Sequence, residues 1–161
     1  MRRFASVDEE RPATAFADVY RAHRRDVVQL AWLLTHDAAA SEDLAHDAFA
    51  SLFEVFERVA TPGAYLRRSV VNGVYQRSRR RQREQRRNGL MVAGAVHAVE
   101  GPSGGMADAI AKLPIDQRTA VVLRYWGGLR DGEIAEAMNI RPGTARSHLS
   151  RATTRLRKEL L

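Results

Sequence analysis

The chain contains no cysteine, which removes disulfides, thiol nucleophiles and cysteine-ligated metals from consideration. No apolar run comes near the roughly 18 residues that a membrane-spanning helix needs. The first residues, MRRFASVDEERPATAF, start with arginines but continue with acids and a proline in place of an apolar stretch. No secretory signal is therefore expected, and the chain is expected to be cytoplasmic. Alternating β-branched runs joined by a hairpin turn are missing. So are a glycine-rich phosphate loop, a nucleophile elbow and a metal-ligand motif, which leaves a small hydrolase using Asp, His and Ser without support. Lysine is scarce too: 24 of the 26 basic residues are arginine, whose planar fork suits phosphate and base-edge contacts.

What is present is a chain of 161 residues, 45% of them hydrophobic, enough for one ordinary domain or two small ones. The net charge of +7 is segregated along it. Residues 1–66 carry seven arginines against eleven acids, and residues 67–87 carry nine arginines against one glutamate. Residues 108–161 carry ten basic residues against six acids. An acidic front followed by a basic middle and tail suggests one surface for a protein partner and two for a polyanion.

The long periodic segments are helical, so the expected fold class is all-α, with two small helical domains joined by a flexible linker. Over 14–35 the apolar stripe is Phe16, Val19, Tyr20, Val27, Leu30, Ala31 and Leu34. A second helix is expected at 38–58, with Ser41 and the following acids in its early turns. Leu44, Ala48, Leu52 and Val55 line one side of it, widened by Phe49, Phe53 and Phe56. Asp43, His46, Asp47 and Glu54 recur on the other side. Pro62 starts a third helix, which runs through RSRRRQREQRR at 77–87. Residues 88–107, NGLMVAGAVHAVEGPSGGMA, hold five of the 11 glycines and one charged residue, and read as the linker. Beyond it Pro114 opens a helix that Gly127 and Gly128 close. A short helix at 131–138, a tight turn NIRPG and a final helix from about 142 to 159 complete a helix-turn-helix pattern.

On that final helix Ala145, Leu149, Ala152 and Leu156 fall at spacings of four, three and four, which places them on one packed face. Thr144, Ser147, His148 and Arg151 then point outward with Arg146 beside them, the layout of a duplex reader. The arginine run is different. Arginines at 77, 79, 80, 81, 83, 86 and 87 cover all sides of a helix, which gives phosphate contact that is sequence-blind and salt-sensitive. More selective residues are expected just before it, at Asn72 and Gln76, one turn apart. Asp43 and Asp47 also lie one turn apart, but no nucleophile accompanies them and His46 has no fellow ligands. No catalytic residue, metal or cofactor is expected there, and the acidic side is either a solvated face or a docking surface for a basic partner.

The segments ASEDLAHDAFASLF, TPGAYLRRSVVNGVYQRSRRR and LPIDQRTAVVLRYWGGLRDGEIAEAMNIRPGTARSHLSRATTRLRKEL together resemble the two-domain ECF (extracytoplasmic function) sigma factors of bacteria, most nearly their actinobacterial SigE-like group. The resemblance is specific, because two independent motif blocks stand in the right order at the right separation. It implies sigma region 2 at 12–87, a flexible linker at 88–107 and a region 4 helix-turn-helix at 108–161. It also implies a protein with no chemistry of its own, which binds core RNA polymerase at the β′ clamp helices and the β flap and directs it to promoter DNA. In the family an anti-sigma factor is a common further partner.

Residue by residue, the resemblance assigns core polymerase binding to Asp43, Leu44, His46, Asp47 and Phe49, with His46 where glutamine is usual and Asp47 where glutamate is usual. It assigns the minus-10 element to Arg58, Arg67, Arg68, Asn72, Gln76, Arg79 and Arg80, and matches RVATPG at 58–63 to the loop that captures a flipped base. The minus-35 element falls to Arg141, Thr144, Arg146, Ser147, His148, Ser150 and Arg151. His148 stands where arginine is common. Asp131 and Gly132 stand where larger DNA-touching residues are frequent, so weaker or altered minus-35 contacts are expected. The alternative is a helix-turn-helix regulator of the response-regulator effector type, which acts on duplex DNA without docking on polymerase. The arginine-rich helix and the lack of a βα receiver pattern weigh against it.

Overall fold

A computed structural model describes residues 14–89 and 105–161, and among them every regular element is helical. The helices are α1 (Thr14–Thr35), α2 (Ala38–Val55), α3 (Pro62–Arg87), α4 (Met106–Ala111), α5 (Ile115–Val121), α6 (Asp131–Met138) and α7 (Pro142–Leu160). A 3-10 turn, Phe56–Arg58, prolongs α2, and a π turn, Val122–Trp126, prolongs α5. Most of the expected linker, residues 90–104, lies outside the described residues.

Helices α1 to α3 form the first module. His36 takes a left-handed backbone (φ 52°) that closes α1. Asp37 then caps α2, its carboxylate accepting the Ala40 N–H at 3.0 Å. The cap therefore lies four residues before Ser41, which is buried with its hydroxyl donating to the Asp37 carbonyl at 2.6 Å. Leu30, Leu34, Leu52, Leu66 and Val70 are fully buried between the three helices. Gly73 lets α3 lie close on α2, since a Cβ there would come within 2.6 Å of Leu44 Cδ2. His23 is buried in the same module (3% exposed), and that burial lowers its pKa, with Asp26 partly offsetting the shift. Two aromatic residues leave the expected stripes, and the first is Tyr20, 40% exposed with its ring 4.8 Å from that of Phe49. The second, Phe53, is 67% exposed, its ring meeting Phe16 edge-on at 5.1 Å.

Helices α4 to α7 form the second module. Glu133 accepts the backbone N–H of Arg130 at 2.9 Å and so closes the first turn of α6. Asn139 adopts the left-handed conformation (φ 55°) that turns the chain from α6 into α7. Pro142 occupies the first turn of α7, where its missing N–H costs nothing.

The two modules pack on each other. α3 lies against α6, and α1 contacts α4 and α5. One apolar cluster runs without a break from Leu30 and Val70 to Leu123 and Ile134. Arg118 of α5 adds a polar clasp: its guanidinium donates to the carbonyls of Leu34 at 2.8 Å, Ala111 at 2.7 Å and Leu113 at 3.0 Å. Leu34 and Ala111 lie in the last turns of α1 and α4, where carbonyls lack an intrahelical partner. One side chain thus serves the ends of two helices in different modules. Its burial lowers the Arg118 pKa from the ordinary arginine value.

Candidate nucleic-acid interface

The final helix has the two faces that its spacing requires. Ala145 and Ala152 are fully buried, and Leu149 and Leu156 are half-buried against the cluster around Leu113 and Val121. On the other side Arg141, Thr144, Arg146, Ser147, Ser150 and Arg151 are exposed, and His148 is half-buried. The Ser147 hydroxyl donates to the Gly143 carbonyl at 3.1 Å, one turn back. Arg146 reaches toward the start of α6, its Nη1 lying 3.7 Å from Asp131 Oδ2. The other oxygen of Asp131 accepts from Arg124, which emerges from the π turn.

A second basic face runs along α3, a helix about 39 Å long at ~1.5 Å per residue. Arg68, Asn72, Gln76, Arg79 and Arg80 are exposed on successive turns, and Arg83 and Arg87 continue the stripe. Arg67 does not belong to it. One residue along a helix is a ~100° rotation, and that carries Arg67 to the packed side beside Leu66 and Val70, where it is 7% exposed. Arg58 is exposed in the 3-10 turn that precedes α3. Between the distal half of α3 and the second module lies a cleft of about 760 Å³, with Arg77, Arg80, Arg81, Lys112, Arg118 and Arg155 among its lining residues.

The acidic face of α2 is separate from both. Asp43, His46, Asp47 and Glu54 are exposed there. Leu44 and Phe49, assigned with them from the resemblance, are each 5% exposed and lie on the inner side of the same helix. Both pack into the core cluster beneath the acidic face. Phe53, missed as a surface residue, stands seven positions after His46, nearly two full turns, and so shares its face. That spacing was readable, but an aromatic residue in an apolar run reads first as core. Among the described residues no cluster of His, Cys, Asp or Glu could hold a metal ion, and no helix is long and apolar enough to cross a membrane.

A helix-turn-helix with a polar front, joined to an arginine-faced helix and a separate acidic face, defines a helical nucleic-acid-binding protein built from two modules. Residues 19–84 match sigma-70 region 2, and residues 105–156 match sigma-70 region 4. The chain is 30% identical over 151 residues to the RNA polymerase sigma-E factor of Streptomyces antibioticus, covering 90% of this chain and 84% of that one. It is 29% identical over 152 residues to the ECF RNA polymerase sigma factor SigM of Mycobacterium tuberculosis, covering 91% and 77%. It spans 40% of a longer relative, the probable RNA polymerase sigma factor RfaY of Xanthomonas campestris. The sigma factor RpoE of Bartonella quintana, solved in complex with the anti-sigma factor NepR, superposes with a TM-score of 0.75 at 22% identity, covering 91% of this chain and 96% of that one. The protein belongs to the ECF RNA polymerase sigma factors.

Proposed function

We propose that this chain binds core RNA polymerase and directs it to a class of promoters, its region 2 module (12–87) reading the minus-10 element and its region 4 module (108–161) the minus-35 element. The observation that carries this reading is the separation of three faces: one acidic face on α2 and two basic, polar faces on α3 and α7. The acidic face suits a basic partner protein, and the other two suit DNA. α7 presents short hydroxyls and forked guanidiniums to a duplex. The exposed Asn72 and Gln76 of α3 precede the phosphate-binding arginines and suit unpaired bases as the strands separate. The protein performs no chemistry in this reading. Binding to unpaired or flipped bases offsets the few kcal/mol that opening a pair costs. Two modest contacts on one chain also gain affinity through effective concentration. An anti-sigma factor, present with the solved neighbour RpoE, is a further partner of the same reading.

Run-off transcription with core polymerase and genomic fragments tests the proposal. Promoter-directed transcripts that depend on the added chain support it. A chain that is folded and bound to core, yet adds no initiation, overturns it. The response-regulator type of action differs in a mobility-shift assay, where such a regulator shifts duplex DNA alone and this chain requires core polymerase.

A further inference from the structure

Asp131 lies at the first position of α6, outside the recognition helix, yet one of its oxygens faces Arg146 of α7 at 3.7 Å. Its other oxygen accepts from Arg124, which fixes the carboxylate from behind. The N-terminus of α6 favours the negative charge at that point. On its far side the Arg146 guanidinium lies over the first turn of α7, where Gly143 offers no side chain and even an added Cβ would stand 3.7 Å from Nη2. The Arg146 guanidinium of the proposed duplex reader therefore lies beside the first turns of both α6 and α7.

We propose that Asp131 is a positioning residue for base selection, holding the Arg146 guanidinium in the orientation that meets a base edge in the minus-35 duplex. The inference rests on the reading of α7 as the duplex reader. A carboxylate beside a DNA-facing arginine has two opposed effects. It repels phosphates, which lowers affinity for every sequence alike, and it fixes the plane of the fork, which matters only where a base must be matched bidentately. The two effects are separable, because the first is sequence-blind and salt-dependent while the second shows as discrimination.

The test uses the full chain with core polymerase on a promoter library randomised through the minus-35 element. Arg146→Ala first defines which base position Arg146 reads. Asp131→Asn is expected to flatten the preference at that same position by about tenfold, the size of one good bidentate contact, while binding to scrambled duplex is unchanged or tighter. Asp131→Glu is expected to restore the preference, and Asp131→Asn in the Arg146→Ala background to add nothing. Arg124→Gln, which loosens the carboxylate without touching α7, is expected to give a partial loss at the same position and covers the case in which Asp131→Asn fails to fold. An intact preference in Asp131→Asn with a uniform gain in affinity shows that Asp131 only repels DNA, and overturns the proposal. A change spread over positions that Arg146 does not read overturns it equally. If Arg146→Ala alters no preference at all, the reading of α7 falls and takes this inference with it.

Discussion

The Tyr75 hydroxyl of α3 donates to the Asp116 carboxylate in the first turn of α5, across the seam between regions 2 and 4. Burial raises the Tyr75 pKa, and the Asp116 carboxylate raises it further, so the hydroxyl remains a donor throughout the physiological range. On the same seam Arg118 donates to carbonyls of α1 and α4 and to Leu113. The seam thus joins an apolar cluster to two polar ties, one between side chains (Tyr75 and Asp116) and one from the Arg118 side chain to the Leu34 carbonyl.

Removing the Arg118 clasp leaves partly buried carbonyls without their charged donor. Arg118→Ala is expected to destabilise the chain by about 2–3 kcal/mol in urea unfolding. Arg118→Lys recovers only part, since an ammonium cannot reproduce the fork. Tyr75→Phe is the milder change, at about 1 kcal/mol. Small-angle scattering checks the mechanism: the radius of gyration of Arg118→Ala rises above that of the wild type.

The duplex reader and the docking face are predicted to fail independently. Arg146→Ala combined with Arg151→Ala impairs minus-35-dependent initiation by roughly tenfold or more and spares binding to core polymerase. The salt slope of promoter binding falls by about one for each arginine that no longer meets a phosphate. Filter binding over a salt series measures the second effect, and transcription from promoters with and without the element measures the first.

Asp47→Arg produces the reverse pattern, with core binding abolished and the fold retained. Phe53→Asp behaves likewise, because an aromatic ring already in water contributes little to folding and can anchor a partner. Leu44→Asp differs from both. It places a charge in the packed face and lowers thermal stability before any docking is measured. Circular-dichroism melting beside fluorescence anisotropy with core polymerase distinguishes the three.

His23 makes stability depend on pH. Its folded pKa lies below the unfolded value of ~6.5, so folding favours the neutral ring. Above ~6.5 neither state binds the proton and the contribution is complete. As pH falls through ~6.5 the unfolded chain takes up the proton first, and stability declines until the lower folded pKa is passed. The slope from this one group is at most about 1.4 kcal/mol per pH unit. Urea midpoints between pH 7.5 and 5.5 check it, with His23→Leu expected to flatten the decline.

Much of the helical plan was legible because its signals are local. Pro62 and Pro142 sit where helix starts were expected, Asp131–Met138 coincides with the expected span of the short helix, and Ala145 and Ala152 are buried as the 4-3-4 spacing required. The spacing argument was weaker where it fixed a face without fixing its edges. Phe53 follows the apolar run of α2 yet lies in water, and Arg67 precedes an exposed neighbour yet is buried. Leu44 and Phe49, which the resemblance groups with the exposed Asp43, His46 and Asp47, are buried, because adjacent residues on a helix point ~100° apart. The hydrogen bonds of Arg118 with Leu34, and of Tyr75 with Asp116, join residues 84 and 41 positions apart. No local pattern announces such pairs.

The seam also bears on how chains of this kind can be recombined. Arg68, Asn72 and Gln76 on α3 and Thr144, Ser150 and Arg151 on α7 are exposed, so each set can be exchanged without disturbing the other. Tyr75, Asp116 and Arg118 have no such liberty, for the side chain of each completes an interaction with the other module. A hybrid that joins this first module to a relative's second module must carry matching partners at 116 and 118. Lacking them, it should express as two individually sound halves that no longer dock. Promoter preference is therefore the portable part of the molecule, and the joint between its halves is the part that must be transplanted whole.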